Sequence, residues 1–183
     1  MRLEKLLANR IWGDEIFYAT ETVENILVTA PAGVEFTEDS TIVGEATVAV
    51  LGCELSEVGD DVVATVEFMI QEELTVQIDA APGPDDFPLE YAFRFERDFT
   101  FQKLLLPDDV DIVDLNCQIF RFEGTVTIEN VNLPIGGSTG TFDNVASTLT
   151  KIIVGEEIQT FVCLGTAPNV RTTTVTVTIE PVN

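Results

Sequence analysis

The stretch EYAFRFERDFTF, residues Glu90 to Phe101, decides the fold because aromatic side chains recur at every second position along it. The residues of this parity are Tyr91, Phe93, Phe95, Phe99 and Phe101, with Arg97 among them. Alternate side chains of a strand point to opposite faces, so the rings share one face. Aromatics interleaved with cations can bind single-stranded nucleic acid, but here Glu96 and Asp98 offset the two arginines. The stretch therefore predicts a strand that forms one wall of a hydrophobic core.

The charge of the whole chain supports that interpretation. Its 183 residues include 32 acidic and 9 basic side chains, for a net charge of -23. A field of this sign repels phosphate, so nucleic acid and anionic membrane surfaces are disfavoured partners. No apolar run approaches the roughly 18 to 20 residues that span a bilayer. Because 45% of the residues are hydrophobic, the composition predicts a folded protein without a membrane span.

Apolar residues after about residue 20 follow a period of two, interrupted by turn-forming residues, which is typical of strands. Eight strands are predicted, at Thr22–Thr29, Thr41–Cys53, Val62–Ile78, Leu89–Phe101, Asp111–Glu129, Ala146–Val154, Glu157–Leu164 and Val170–Glu180. In LNCQIFRFEGTVTI the apolar parity changes, which predicts a β-bulge near Ile119 and Phe120. The fold class is therefore all-β: an antiparallel sandwich or barrel, jelly-roll-like, formed by residues 21–183 as a single domain.

Residues 1–20 are predicted to form a separate N-terminal arm, helical or extended. Its apolar residues Leu3, Leu6, Leu7 and Ile11 have helical spacing, Trp12 follows them, and Gly13 is a stop signal. The first ten residues carry +2, against -25 for the rest. A helix this short is marginal alone, so we expect the arm to dock on the acidic body of a neighbouring subunit or to cover its own sandwich.

The three cysteines, Cys53, Cys117 and Cys163, are widely spaced and form no metal-binding or redox pair motif. Cys117 and Cys163 share their parity with apolar neighbours, which favours the core. Cys53 follows Gly52 at a strand end, which makes it the candidate for a disulfide within or between chains, or for a reactive thiol. The N-terminus lacks the apolar centre of a secretory signal.

The sequence offers little catalytic chemistry. It contains no histidine, and no nucleotide-binding or nucleophile motif is present, so we expect a protein that is not an enzyme. Acidic turns can hold calcium through carboxylate oxygens, and the candidate ligands are Asp108, Asp109, Asp111 and Asp114. A solvated acidic turn without metal is the alternative. No other cofactor is expected.

The run FRFERDFTFQKLLLPDDVDIVDLNCQIFRFEGTVTI, Phe93 to Ile128, resembles the spore-coat-assembly (SPOCS) domains of endospore-forming bacteria. In both, an aromatic strand meets an apolar turn with proline, and a long β-branched strand with an acidic start follows. The resemblance implies a protein that enters a spore-surface layer or appendage without a secretory signal. The strong negative charge and the basic arm depart from that family.

These observations favour a structural subunit that assembles with copies of itself into an extracellular filament, appendage or surface layer. Long edge strands with few lysines support this, because soluble monomers usually blunt such edges. One alternative is a binding module whose loops, around Pro82–Pro88 and Leu133–Thr141, hold calcium or a carbohydrate. Another alternative is a virion decoration protein.

Overall fold

The protein folds into two antiparallel sheets of three strands each. The structure is a computed structural model that describes residues 2–104, 106, 108 and 110–164, with backbone alone at 2–10 and 156–164. The strands are β1 Arg2–Thr29, β2 Thr41–Val58, β3 Asp61–Gln77, β4 Phe87–Thr100, β5 Asn116–Asn132 and β6 Thr139–Leu164. A single 3-10 turn, Ile112–Asp114, precedes β5. The first sheet has the order β1-β6-β5, and the second has the order β2-β3-β4.

The all-β prediction is confirmed, but its strand count and its helix are wrong. The described residues form six strands instead of eight, and the predicted strands on either side of Gly155 are one continuous β6. The predicted strand Val170–Glu180 lies outside the described residues. The helical alternative for the arm is wrong because β1 is extended from Arg2 onward. The boundary expected near residue 20 falls inside this strand.

The two sheets pack face to face around side chains of one parity. On β3 the even positions from Val62 to Val76 face inward, and on β6 the even positions from Phe142 to Val154 do the same. These two strands are central in their sheets, so each has a neighbouring strand on either side and the opposite sheet across its inner face. The arrangement is sandwich-like and all-β, as the alternation of apolar and polar residues in the sequence predicts.

The aromatic face of β4 is a wall of this core, as predicted. Phe95 and Phe99 are 8% and 7% exposed. The Phe95 ring stacks on Phe68 of β3 at 5.1 Å between centroids, and the Phe99 ring stacks on Phe17 of β1 at 4.9 Å. Each such aromatic pair adds about 0.5 to 1.5 kcal/mol to the burial of its area. Aromatic stacking thus links β4 to its neighbour and to the opposite sheet.

The bulge predicted near Ile119 and Phe120 is confirmed. The pairing of β5 with β6 shifts register between Ile119 and Arg121. Ile119, before the shift, packs against the core, as does Phe122 after it. The residue between them, Phe120, is 68% exposed. A bulge redirects side chains in this way because two residues of one strand oppose a single residue of the next.

Two contacts between the sheets join the edges of the sandwich. On one side a disulfide links Cys53 of β2 to Cys117 of β5. On the other side Arg97 of β4 forms an ion pair with Glu21 of β1. The parity of the aromatic stretch already placed Arg97 on the same face as the rings. A partly buried cation needs a partner of opposite charge, and the Glu21 carboxylate is that partner.

Candidate functional site

The candidate assembly site is a two-stranded ribbon that continues β1 and β6 beyond the third strand of their sheet. Strand β5 begins at Asn116, opposite Gly155 of β6. From there to Leu164, β6 continues in register with β1, ending with Arg2 opposite Leu164. Among the described residues, no third strand pairs with this segment. At about 3.4 Å per residue, nine such pairs extend about 30 Å.

A ribbon of this kind has two edges whose backbone groups need partners. Isolated two-stranded ribbons are marginally stable in water, and a third strand or a packed face stabilises them. Exposed strand edges are also templates for pairing with another chain. The geometry therefore offers backbone hydrogen bonds to an added strand along the segment Glu156–Leu164 of β6.

The predicted arm residues lie along this ribbon and at its base. In register, Leu3 is opposite Cys163, Leu6 opposite Thr160, Leu7 opposite Gln159, and Ile11 opposite Gly155. A second register shift lies between Ile11 and Gly13, at Trp12, whose side chain packs against the main core of its own chain. Trp12 therefore anchors the ribbon to its own sandwich. The sequence predicted the β6 half of the ribbon as the strand Glu157–Leu164 but missed its pairing with β1, because the two segments are some 150 residues apart.

Cys53 is half-buried and bonded to Cys117, with 5.7 Å between the two Cα atoms. The structure thus contains the intrachain bridge, one of the roles considered for Cys53. In the bridged chain Cys53 has no free thiol, because its sulfur is bonded to Cys117 of the other sheet. Cys163 lies in the ribbon, opposite Leu3 in the backbone register.

The acidic turn before β5 is described at three of the four predicted calcium ligands. Asp111 caps the 3-10 turn by accepting a hydrogen bond from the Val113 backbone N–H at 3.1 Å. Asp108 and Asp114 are exposed, and Asp109 lies outside the described residues. The part of the chain that the structure describes contains no group of three or more acidic, cysteine or histidine side chains placed to hold a metal.

The loops proposed as a ligand site lie at the end of the sandwich opposite the ribbon. The loop after β3 is closed by Asp86, whose carboxylate accepts hydrogen bonds from the backbone N–H groups of Ile78 at 3.0 Å and Gly83 at 2.9 Å. The Thr37 and Ser40 hydroxyls donate to the Ile78 carbonyl. These hydrogen bonds stabilise the loops that follow β1 and β3.

A polar layer crosses the inside of the sandwich and was not expected from the sequence. Glu72 of β3 is 3% exposed, and Asn144 of β6 is fully buried. Burial raises the pKa of Glu72, and the neighbouring Asn144 amide opposes the shift in part. The two side chains are neighbours, but they do not form a hydrogen bond of ordinary geometry. The sequence contained a signal for the burial of Glu72, because this residue has the same inward parity as Ile70 and Leu74.

Burial also raises the pKa of Tyr91, with the Glu72 charge as a second cause. These two residues are directly opposite in the β3–β4 register.

No described helix is long and apolar enough to cross a membrane. Comparison of the chain with protein-family models, curated proteins and solved structures gives no match.

Proposed function

We propose that this protein is a non-enzymatic structural subunit that assembles with copies of itself into an extracellular filament, appendage or surface layer. The observation that carries the proposal is the ribbon of β1 and β6, which continues past β5 and whose β6 edge pairs with no further strand among the described residues. A third strand from a neighbouring copy would complete it by strand addition, in which main-chain hydrogen bonds supply the affinity.

The polarity of the molecule supports growth of a polymer. The ribbon lies at one end of the sandwich, and the loops that follow β1, β3 and β5 lie at the other. A contact between two different surfaces of the same subunit is heterologous, and such contacts form rings or open filaments instead of closed dimers. Strand addition at one end therefore suits a filament.

The disulfide supports an extracellular location. Disulfides persist in oxidising environments and are rare in the cytosol of most organisms, and Cys53–Cys117 joins the two sheets. The resemblance of Phe93–Ile128 to spore-coat-assembly domains supports a spore-associated surface within that class.

Negative-stain microscopy of the full chain, with and without residues 2–10, tests the proposal. We expect ordered polymers from the full chain and single particles from the truncated one. Because residues 2–10 pair with residues 156–164 of β6, past the start of β5, we expect the melting temperature of the body to change little. A second variant, Leu7→Pro, keeps the chain length and removes one backbone donor within the ribbon.

A matched control is Ile135→Pro, a proline placed in an exposed loop at the opposite end, which we expect to polymerise like the wild type. The proposal fails if the full chain stays monodisperse under oxidising conditions at every concentration, or if the truncated chain forms the same polymer.

The second candidate function is a calcium- or carbohydrate-binding module, or a virion decoration protein. The acidic turn Asp108–Asp114 would be its calcium site, because a divalent ion would relieve repulsion among neighbouring carboxylates. Calorimetry decides this: a calcium response that disappears in the double variant Asp109→Asn, Asp111→Asn would favour the module over the polymer.

A further inference from the structure

The outer surfaces of the two sheets differ sharply in charge. The outward residues of β2, β3 and β4 form an acidic face, with Arg94 as its only described cation. Its carboxylates belong to Glu45, Glu54, Glu67, Glu73, Glu90, Glu96 and Asp98. Glu45, Glu73 and Glu90 are directly opposite one another across the three strands, an arrangement in which like charges repel.

The middle of the outer surface of the other sheet is neutral and partly apolar, and the carboxylates of Glu129 and Asp143 lie beyond it toward the loop end. We call it the neutral face: the outward residues within 14–22 of β1, 118–127 of β5 and 145–153 of β6. Two of its four charged residues are acidic and two are basic, and they pair locally: Lys151 Nζ lies 3.0 Å from an Asp14 carboxylate oxygen, and Arg121 pairs with Glu123. This patch has no net charge, in a chain that carries -23.

Large apolar side chains are exposed on the neutral face. Tyr18 is 74% exposed, Phe120 is 68% exposed and Ile16 is 49% exposed. Phe120 points outward because of the bulge, and the Lys151 ammonium lies 5.3 Å from its ring centre. Beside them, Tyr18 and Leu149 line a shallow depression of about 270 Å³. Aromatic residues around a depression are typical anchors of protein interfaces.

We propose that the neutral face is an interface between two copies of this chain. Two molecules of charge -23 repel each other through their acidic surfaces, and the repulsion is weakest where the local charge is zero. A cationic partner would prefer the acidic face, and a polyanion would be repelled by the whole molecule. A second copy fits because it brings the same apolar groups.

The charges of the neutral face are also complementary to those of a second copy of the same face. Both signs are present within three neighbouring strands, so a copy related by a twofold axis can set its carboxylates near Arg121 and Lys151. Such an isologous contact is closed, and it leaves both acidic faces outward. This lateral contact is independent of the ribbon and can exist with or without polymer growth.

Cysteine cross-linking of the full chain tests the inference. Ser147 is exposed on the central strand of the neutral face, and Gln71 is exposed on the central strand of the acidic face. Under mild oxidation we expect Ser147→Cys to give a disulfide-linked dimer at least roughly tenfold faster than Gln71→Cys, which corresponds to about 1.4 kcal/mol. Peptide mapping should identify the bond between the two introduced cysteines.

A third variant separates the interface from chance collisions. Adding Tyr18→Glu to Ser147→Cys places a charge in the apolar centre, and we expect the cross-linking rate to fall to that of Gln71→Cys. Because Tyr18 is mostly exposed, the melting temperature of this double variant should stay close to that of Ser147→Cys alone. If it does not, Tyr18→Ser replaces Tyr18→Glu in the same experiment. Equal rates for Ser147→Cys and Gln71→Cys, or no effect of Tyr18→Glu, would overturn the inference. Ribbon truncation changes neither outcome, so the two proposals fail separately.

Discussion

Arg97 of β4 and Glu21 of β1 form an ion pair that joins the two sheets beside the aromatic core. Their side chains are 40% and 17% exposed, so the carboxylate is the more deeply buried member. Arg97 also lies 5.9 Å from the centre of the Phe95 ring, a distance at which a cation is attracted to the ring face. The aromatic wall thus contains one charge that is matched from the opposite sheet.

Replacing Arg97 by alanine should destabilise the fold because Glu21 would keep its charge without a partner. We expect the free energy of unfolding in urea to fall by roughly 1 to 3 kcal/mol. The double variant Arg97→Met, Glu21→Gln should recover part of that loss, since neither charge remains.

Arg94 provides the control on the same strand. It pairs with Glu67 at 3.3 Å on the outer face, with 67% of its side chain exposed. Exposed pairs contribute about 0 to 1 kcal/mol, so Arg94→Ala should be close to neutral. Equal losses for the two alanine variants would show that the Glu21 pair has no special role.

The disulfide should leave one reactive thiol in each chain. After unfolding without reductant, we expect a thiol-alkylating reagent to modify Cys163 alone, because Cys53 and Cys117 are bonded to each other. Mass spectrometry of the digested protein checks this directly. Modification of all three cysteines would show that the bridge does not form in solution.

Replacing both bridged cysteines by serine should cost stability, because the bridge closes a loop of 64 residues. The chain-entropy model gives about 4 kcal/mol for a loop of that length. The matched control is the single change Cys163→Ser, which leaves the bridge intact and should affect the free energy of unfolding far less.

Asp143 should stabilise two irregular positions of its sheet. Its carboxylate accepts hydrogen bonds from the Asn25 backbone N–H and from the Asn130 side-chain amide, both at 2.8 Å. Both asparagines have positive φ values, of 56° and 50°, and both lie at register shifts in the strands beside β6. The bond from Asn25, followed by that from Asn130, lowers the pKa of Asp143.

Because this pKa is lowered on folding, the contribution of Asp143 is present above the ordinary pKa of an aspartate and is lost as the pH falls through the lowered value. We expect Asp143→Ala to lower the melting temperature at pH 7, with a smaller difference at strongly acid pH. The comparison variant Asp39→Ala, in an exposed loop, should have little effect. A deficit that is the same at every pH would contradict this role for the carboxylate.

The sequence predicts what depends on alternation within one strand. The aromatic wall of β4 and the bulge at Phe120 both follow from parity, and parity is a local property that a single strand reveals. The helix predicted as one form of the N-terminal arm was wrong because the structure there depends on a distant partner. Leu3, Leu6, Leu7 and Ile11 fit a helix locally, but β6 offers them a partner strand from the far end of the chain, and pairing overrides weak propensity.

The glycine at position 155 shows the same limit. A glycine followed by two glutamates suggests a turn, yet Gly155 pairs with Ile11 on one side and Asn116 on the other. Only the partners make the strand continuous, and no pattern within β6 identifies them. For the same reason the ribbon, which is the candidate assembly site, could not be predicted as a pair of strands, although its β1 residues were singled out.

Glu72 should make the sandwich less stable as the pH rises. Its carboxyl group lies inside the sandwich, near Asn144 of β6 and Tyr91 of β4, and burial raises its pKa. The folded protein therefore binds this proton more tightly than the unfolded chain does. The contribution of the residue to stability is complete below the ordinary pKa of a glutamate and is lost as the pH rises through the raised value in the folded protein.

The variant Glu72→Gln removes this dependence because its neutral amide has a similar shape and no proton to lose. We expect its free energy of unfolding to exceed that of the wild type at pH 8, because the wild type has then lost the stabilisation that depends on its bound proton and the glutamine variant has none to lose. At pH 4 the two should be nearly equal. Glu38→Gln, in an exposed loop, makes the same change in net charge and controls for general repulsion. If Glu38→Gln stabilises the protein at pH 8 as much as Glu72→Gln does, relief of overall charge explains the gain, and the buried carboxyl group does not control the pH dependence.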